Sequence, residues 1–157
     1  MAKSTKLTAA AIQKENSVLN EEKLIRILDK YDVKIQLHFR KSQIRRVMVQ
    51  YFSVLQELKR NEEVTDETIA ASLSLLYALI LKEFTDVPIP AIKNIEHLIK
   101  VTDMLLDTGI MEEVYDHFPK EQLELIMQEV LKAARNTGTI FGEAVIEQSL
   151  QPHANKN

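Results

Sequence analysis

Along most of the chain, apolar residues recur with the spacing of a helix. From Ser42 onward, Ile44, Val47, Met48, Tyr51, Leu55 and Leu58 stand at steps of three and four, the stripe of an amphipathic helix. Ser42 is the expected N-cap, and the charged residues 59–63 are expected to end the helix. A second helix starts at Thr65, which can cap it; Asp66 and Glu67 place negative charge in its first turn, and Val64 can staple onto Ile69. Apolar residues lie almost all round its body, residues 69–84, which predicts the central and most buried helix. Pro88 and Pro90 interrupt the pattern, since neither can donate to a helix ladder. A third helix is predicted over 90–107 on a stripe of Ile92, Ile95, Leu98, Ile99, Thr102, Leu105 and Leu106, with Gly109 at its C′ position. Residues 110–118 give a short fourth helix with Val114 and Phe118 inward. Pro119 opens a fifth, which reaches 136 on Leu123, Ile126, Met127, Val130 and Leu131.

One segment has the other period. Val33, Ile35, Leu37 and Phe39 alternate with Lys34, Gln36 and His38, the pattern of a half-buried strand. Residues 24–28 are rich in β-branched side chains and 29–32 are polar enough to turn, so a β-hairpin is placed at 22–39. Two strands alone are marginal, so the apolar face of the hairpin must rest on helices or on another subunit. Residues 1–20 form a flexible N-terminal arm, in which Leu7, Ala11, Ile12 and Leu19 make a weak amphipathic turn with no good cap. Residues 139–157 make a short helix, from Ile140, Phe141, Val145 and Ile146, or a frayed tail. The expected fold is mainly α, with a single domain at 21–138 built as a compact bundle of about five helices and one N-terminal β-hairpin.

Composition narrows the function. A chain of 157 residues with 45% hydrophobic side chains can bury one core, and three glycines and four prolines are too few for the turns of an all-β fold. The absence of cysteine excludes disulfides, a thiol nucleophile and any Cys-based metal site. Residues 1–20 hold no signal-peptide core, and the longest apolar run, 73–81, is about half a membrane span. A soluble protein that stays inside the cell that makes it is expected, with no membrane partner. The net charge of −3 conceals an asymmetry: residues 1–60 carry 13 Lys/Arg and 6 Asp/Glu, residues 61–157 carry 7 and 17. Such halves can attract each other between subunits, so a homo-oligomer is expected.

Catalytic chemistry is hard to draw. Glycines stand only at 109, 138 and 142, which rules out a phosphate-cradling loop, and there is no nucleophile elbow. No enzyme activity, catalytic residue or cofactor is expected. Glu113, His117 and Glu121 have metal-like spacing, but Pro119 breaks the helix that would align them, so no metal site is expected and Glu113 with His117 reads as a surface pair. Arg40, Lys41, Arg45 and Arg46 form a basic cluster where a helix starts, the end whose dipole disfavours positive charge. The cluster suits electrostatic contact with an acidic surface or, as the alternative, with a nucleic-acid backbone. Met48, Tyr51, Met104, Met111 and Met127 are the candidate partner-binding residues, chiefly because methionine suits surfaces that accept varied partners and could line a binding groove.

In order along the chain, several segments resemble one family. These are Ile35-Gln36-Leu37-His38-Phe39-Arg40 before a helix of the Ile44-Arg45-Arg46-Val47 type, and Leu81-Lys82-Glu83-Phe84-Thr85-Asp86-Val87-Pro88-Ile89-Pro90 closing the greasy helix. They continue with Leu105-Leu106-Asp107-Thr108-Gly109 and then Phe118-Pro119-Lys120-Glu121 before an acidic helix. Over residues 20–135 the chain is similar to tail assembly chaperones, encoded between the major tail protein and tape measure protein genes of siphophages that infect Gram-positive bacteria. The resemblance implies a helper in the host cytoplasm, absent from the mature virion. It would bind and solubilise the tape measure protein during viral morphogenesis and yield to the tail tube protein. A structural virion component, such as a connector or tail-completion protein, is a further alternative.

Overall fold

Residues 3–61, 65–92 and 94–136 are described in a computed structural model of the chain. In chain order they form α1 (Ala9–Val18), β1 (Glu22–Ile27), β2 (Tyr31–Gln36), α2 (Lys41–Asn61), α3 (Asp66–Phe84), α4 (Ile95–Asp107), α5 (Ile110–His117) and α6 (Lys120–Asn136). The fold is mainly helical with one N-terminal antiparallel hairpin, as the periodicity predicts. The expected staple residue Val64 and the expected short helix or tail at 139–157 lie outside the described residues.

Most helix ends follow from local chemistry. Thr65 Oγ1 accepts the Thr68 N–H at 3.2 Å and starts α3 as expected. α4 starts five residues later than predicted, because Pro88 and Pro90 keep their surroundings extended and Asn94 Oδ1 caps the helix by accepting the His97 N–H at 2.8 Å. Ser42 is not a cap: α2 already begins at Lys41, and the Arg40 carbonyl accepts the Ile44 N–H at 2.9 Å. Gly109, at φ 76°, is left-handed as a C′ residue should be; its carbonyl also accepts the Glu113 N–H, so one glycine ends α4 and opens α5. The stretch read as an uncapped arm contains α1, capped by Thr8 Oγ1 on the Ala11 N–H at 3.1 Å, with no residue buried.

α3 is the centre. Leu75, Leu76, Ala78, Leu79, Ile80, Leu81 and Phe84 are all buried, and α2, α4 and α5 each pack on it. That agrees with apolar residues all round the helix.

The turn of the hairpin comes earlier than the expected 29–32, and β2 ends before 39. Leu28 and Asp29 form its turn with φ of 50° and 57°, the left-handed pair of a type I′ turn, and the Lys30 N–H returns to the Ile27 carbonyl at 3.1 Å. Leucine seldom adopts that geometry. Here Glu113 on α5 stabilises it: both carboxylate oxygens lie 3.0 Å from the Leu28 nitrogen. Glu113 is therefore not the surface partner of His117 that the spacing suggested; its charge is committed to the turn. Ile25, Ile27, Val33 and Ile35 point into the core, and β2 ends at Gln36 so that the chain can bend and bury Phe39.

Candidate functional site

Three of the segments that carry the resemblance, through Phe39, Phe84 and Phe118, meet in one aromatic junction. The Phe39 ring stacks on Phe84 with centroids 3.9 Å apart and planes 13° from parallel, and Phe118 approaches it edge-on at 5.2 Å. Tyr115 adds a second edge contact to Phe118 at 5.4 Å, and its hydroxyl donates to the Tyr77 carbonyl at 3.1 Å. The Phe39 N–H donates to Gln122 Oε1 at 2.7 Å, so α6 helps to hold the bend after the hairpin. Following α3, Asp86 grips β2 twice: Oδ1 accepts the Lys34 N–H at 2.8 Å, and the Asp86 N–H donates to the Lys34 carbonyl at 3.1 Å. Phe39, Phe84 and Phe118 are buried, so these motifs lock hairpin to helices and offer a partner no surface. Burial, complete for Tyr51 and partial for Tyr77 and Tyr115, raises the phenol pKa of all three, which remain neutral.

The main surface groove among the described residues lies elsewhere. α2 and α4 each pack chiefly on α3, which leaves a groove of about 360 Å³ between them. Val49 and Val54 of α2 form one wall, Leu79 of α3 the floor, and Ile92, Ile95 and Leu98 the other wall. Glu57 and Lys82 set one charge of each sign on the rim. Val49 is 65% exposed, an apolar side chain on open ground beside a half-buried trough. The α2 wall, from Val49 to Glu57, spans about two helical turns, the footprint of an amphipathic helix laid alongside.

The YomO family matches residues 9–156, nearly the whole chain. The chain belongs to the YomO family. That makes it a phage protein. No curated protein and no solved structure matches it.

In this YomO-family chain the expected partner-binding residues do not come together. Tyr51 and Met111 are fully buried, because both fall on the core-facing stripes of their helices, and no partner can reach them in this conformation. Met48 and Met127 are half-buried against the core, and Met104 stands out at 58% exposure on α4. The groove uses Val49 and Val54 instead. Their signal was present in the sequence, as two valines off the inward stripe of an amphipathic helix.

The basic cluster also divides. The Arg40 guanidinium donates to Asn16 Oδ1 at 3.1 Å and to Asn20 Oδ1, tying the end of α1 to the start of α2. Arg46 donates to Glu83 Oε1 on α3 through Nε at 3.0 Å and Nη2 at 2.7 Å. Two of the four cations thus serve packing, which accounts for positive charge at a helix N-terminus; Lys41 and Arg45 remain exposed. Among the described residues no group of three or more His, Asp or Glu could hold a metal, and no helix is long and apolar enough to cross a membrane.

Proposed function

We propose that this phage protein is a tail assembly chaperone that binds the tape measure protein and keeps it soluble in the host cytoplasm until the tail tube encloses it. The observation that carries the reading is the groove between α2 and α4. A tape measure chain displays apolar helix faces before it is enclosed, and Val49, Val54, Ile92 and Ile95 offer matching apolar walls. Glu57 and Lys82 on the rim would select a helix with charges beside its apolar stripe and fix its direction. A site two turns long binds weakly, so many copies spread along one long helical chain would hold it collectively while each stays displaceable by tube subunits. In this reading the chain performs no chemistry and is left out of the finished virion. The sequence resemblance points to the same assignment, and the family match supports its coarser part, a phage protein.

Co-expression with the tape measure protein of the same phage tests it. The tape measure protein should move from the insoluble to the soluble fraction in a complex with several copies of this chain. Val49→Asp and Ile95→Asp should abolish the rescue, since each places an unpaired charge on a groove wall. Lys41→Ala with Arg45→Ala should leave it intact, and moderate salt should weaken it only slightly. Failure of the wild-type chain to rescue, together with salt-sensitive binding of nucleic acid that needs Lys41 and Arg45, would overturn the assignment.

A further inference from the structure

Among the described residues, β1 is bonded on one side and bare on the other. The Leu37 N–H donates to the Glu21 carbonyl at 3.0 Å, and the register pairs Lys23 with Ile35 and Ile25 with Val33. Odd-numbered residues of β1 therefore turn their N–H and C=O toward β2, and even-numbered residues turn theirs away. The same alternation turns Lys34 of β2 outward, where Asp86 closes that edge. On β1 the outward groups belong to Glu22, Leu24 and Arg26, followed by Leu28 beyond the strand. Glu113 takes the Leu28 N–H; among the described residues nothing bonds the outward main chain of the other three. All three side chains are exposed, Leu24 at 62%. A bare edge with an apolar residue at its midpoint invites another strand.

The residues along this edge point to which strand. They read Glu22-Lys23-Leu24-Ile25-Arg26. Laid antiparallel on a second copy about a two-fold axis at Leu24, Leu24 meets Leu24, and Glu22 of each copy faces Arg26 of the other. Outward residues then meet outward residues, so about six ladder bonds can form. Arg26 already faces Asp32 within its own hairpin at 3.3 Å, so the row across the joined sheet alternates in sign: Asp32, Arg26, then the second copy's Glu22. Moving the axis to Ile25 would require the Leu28 N–H that Glu113 occupies, and moving it to Lys23 would set Leu24 against Glu22. We infer that the β1 edge is a homodimer interface, joining two hairpins into one four-stranded antiparallel sheet through paired Leu24 residues and two Glu22–Arg26 contacts.

Sedimentation velocity over a concentration series, with circular dichroism to verify folding, decides it. The wild-type chain should dimerise. Glu22→Arg and Arg26→Glu alone should each raise the dimer dissociation constant about tenfold or more, because each sets like charges opposite at two symmetric positions. An equimolar mixture of those two variants should recover dimers, all heterodimeric, since every cross-strand pair is then opposite in sign. Leu24→Pro should give a folded monomer, because the hairpin does not use the Leu24 N–H. Leu24→Cys, the sole cysteine in the chain, should oxidise to a linked dimer, since directly opposed residues lie about 5.5 Å apart at Cα. A wild-type monomer at every concentration, a dimer that survives Leu24→Pro, or a mixture that stays monomeric would each overturn the inference. Protection of β1 amides from exchange only when a tape measure segment is added would assign the edge to a foreign strand instead, and would overturn it too.

Discussion

Removing the carboxylate of Glu113 should loosen the hairpin from the helices. The Leu28 N–H points away from β2, in a half-buried position, and its partner is the pair of Glu113 oxygens, each at 3.0 Å. A hydrogen bond to a charged group contributes about 1.5–3 kcal/mol net, and half-burial favours the lower part of that range. The left-handed turn at Leu28 and Asp29 costs on the order of 1–3 kcal/mol per strained residue, a cost the surrounding contacts must offset. Glu113→Ala should therefore destabilise the protein by about 2 kcal/mol, lowering Tm by roughly 4–8 °C for a chain of this size. Glu113→Gln keeps one acceptor oxygen and should lose about half as much. Glu112, the exposed neighbour in the same first turn of α5, is the control: Glu112→Ala removes the same helix-dipole charge and should stay within about 0.5 kcal/mol of wild type. Urea unfolding gives the free energies, and amide exchange should show faster opening at Leu28 and Lys30 than in α3. A Glu113→Ala protein as stable as the Glu112→Ala control, with hairpin exchange unchanged, would refute the reasoning.

Leu76 is fully buried at the middle of α3, so Leu76→Ala should cost about 2–5 kcal/mol in urea unfolding, and a loss below 1 kcal/mol would mean that α3 is not the central helix. Alkaline pH should destabilise the fold. The Tyr51, Tyr77 and Tyr115 phenols are held above the ordinary value of 10.0 by burial, so above about pH 10 the unfolded chain releases protons that the folded chain retains. Stability is thus complete below that pH and declines as pH rises beyond it. Phenolate absorbance from these three residues should appear together with loss of helical circular dichroism, and ionisation in advance of unfolding would contradict their burial.

Much of the architecture was legible in the sequence, because helices and strands are set by periods that a single segment displays. The stripes of α2 and α6, the all-round apolar surface of α3, the Thr65 cap and the left-handed Gly109 are all local facts. The alternation that marked the hairpin was local as well, though its boundaries moved by a few residues. What could not be read was every contact between residues distant along the chain. Glu113 meets Leu28 across 85 positions, Gln122 meets Phe39 across 83 and Asp86 meets Lys34 across 52. Each partner is a main-chain N–H, which carries no sequence signal. For the same reason the basic cluster is uniform in sequence: only tertiary partners, Asn16 and Asn20 for Arg40 and Glu83 for Arg46, separate these two from Lys41 and Arg45. Residue type alone does not tell which side chains face out: methionine is adaptable, yet Met111, like Tyr51, occupies an inward stripe. A groove and a bare strand edge belong to no single segment. They exist only where elements leave a neighbour's place empty, so the sequence determined the helices and the hairpin, and tertiary packing alone decided which of their faces stayed open.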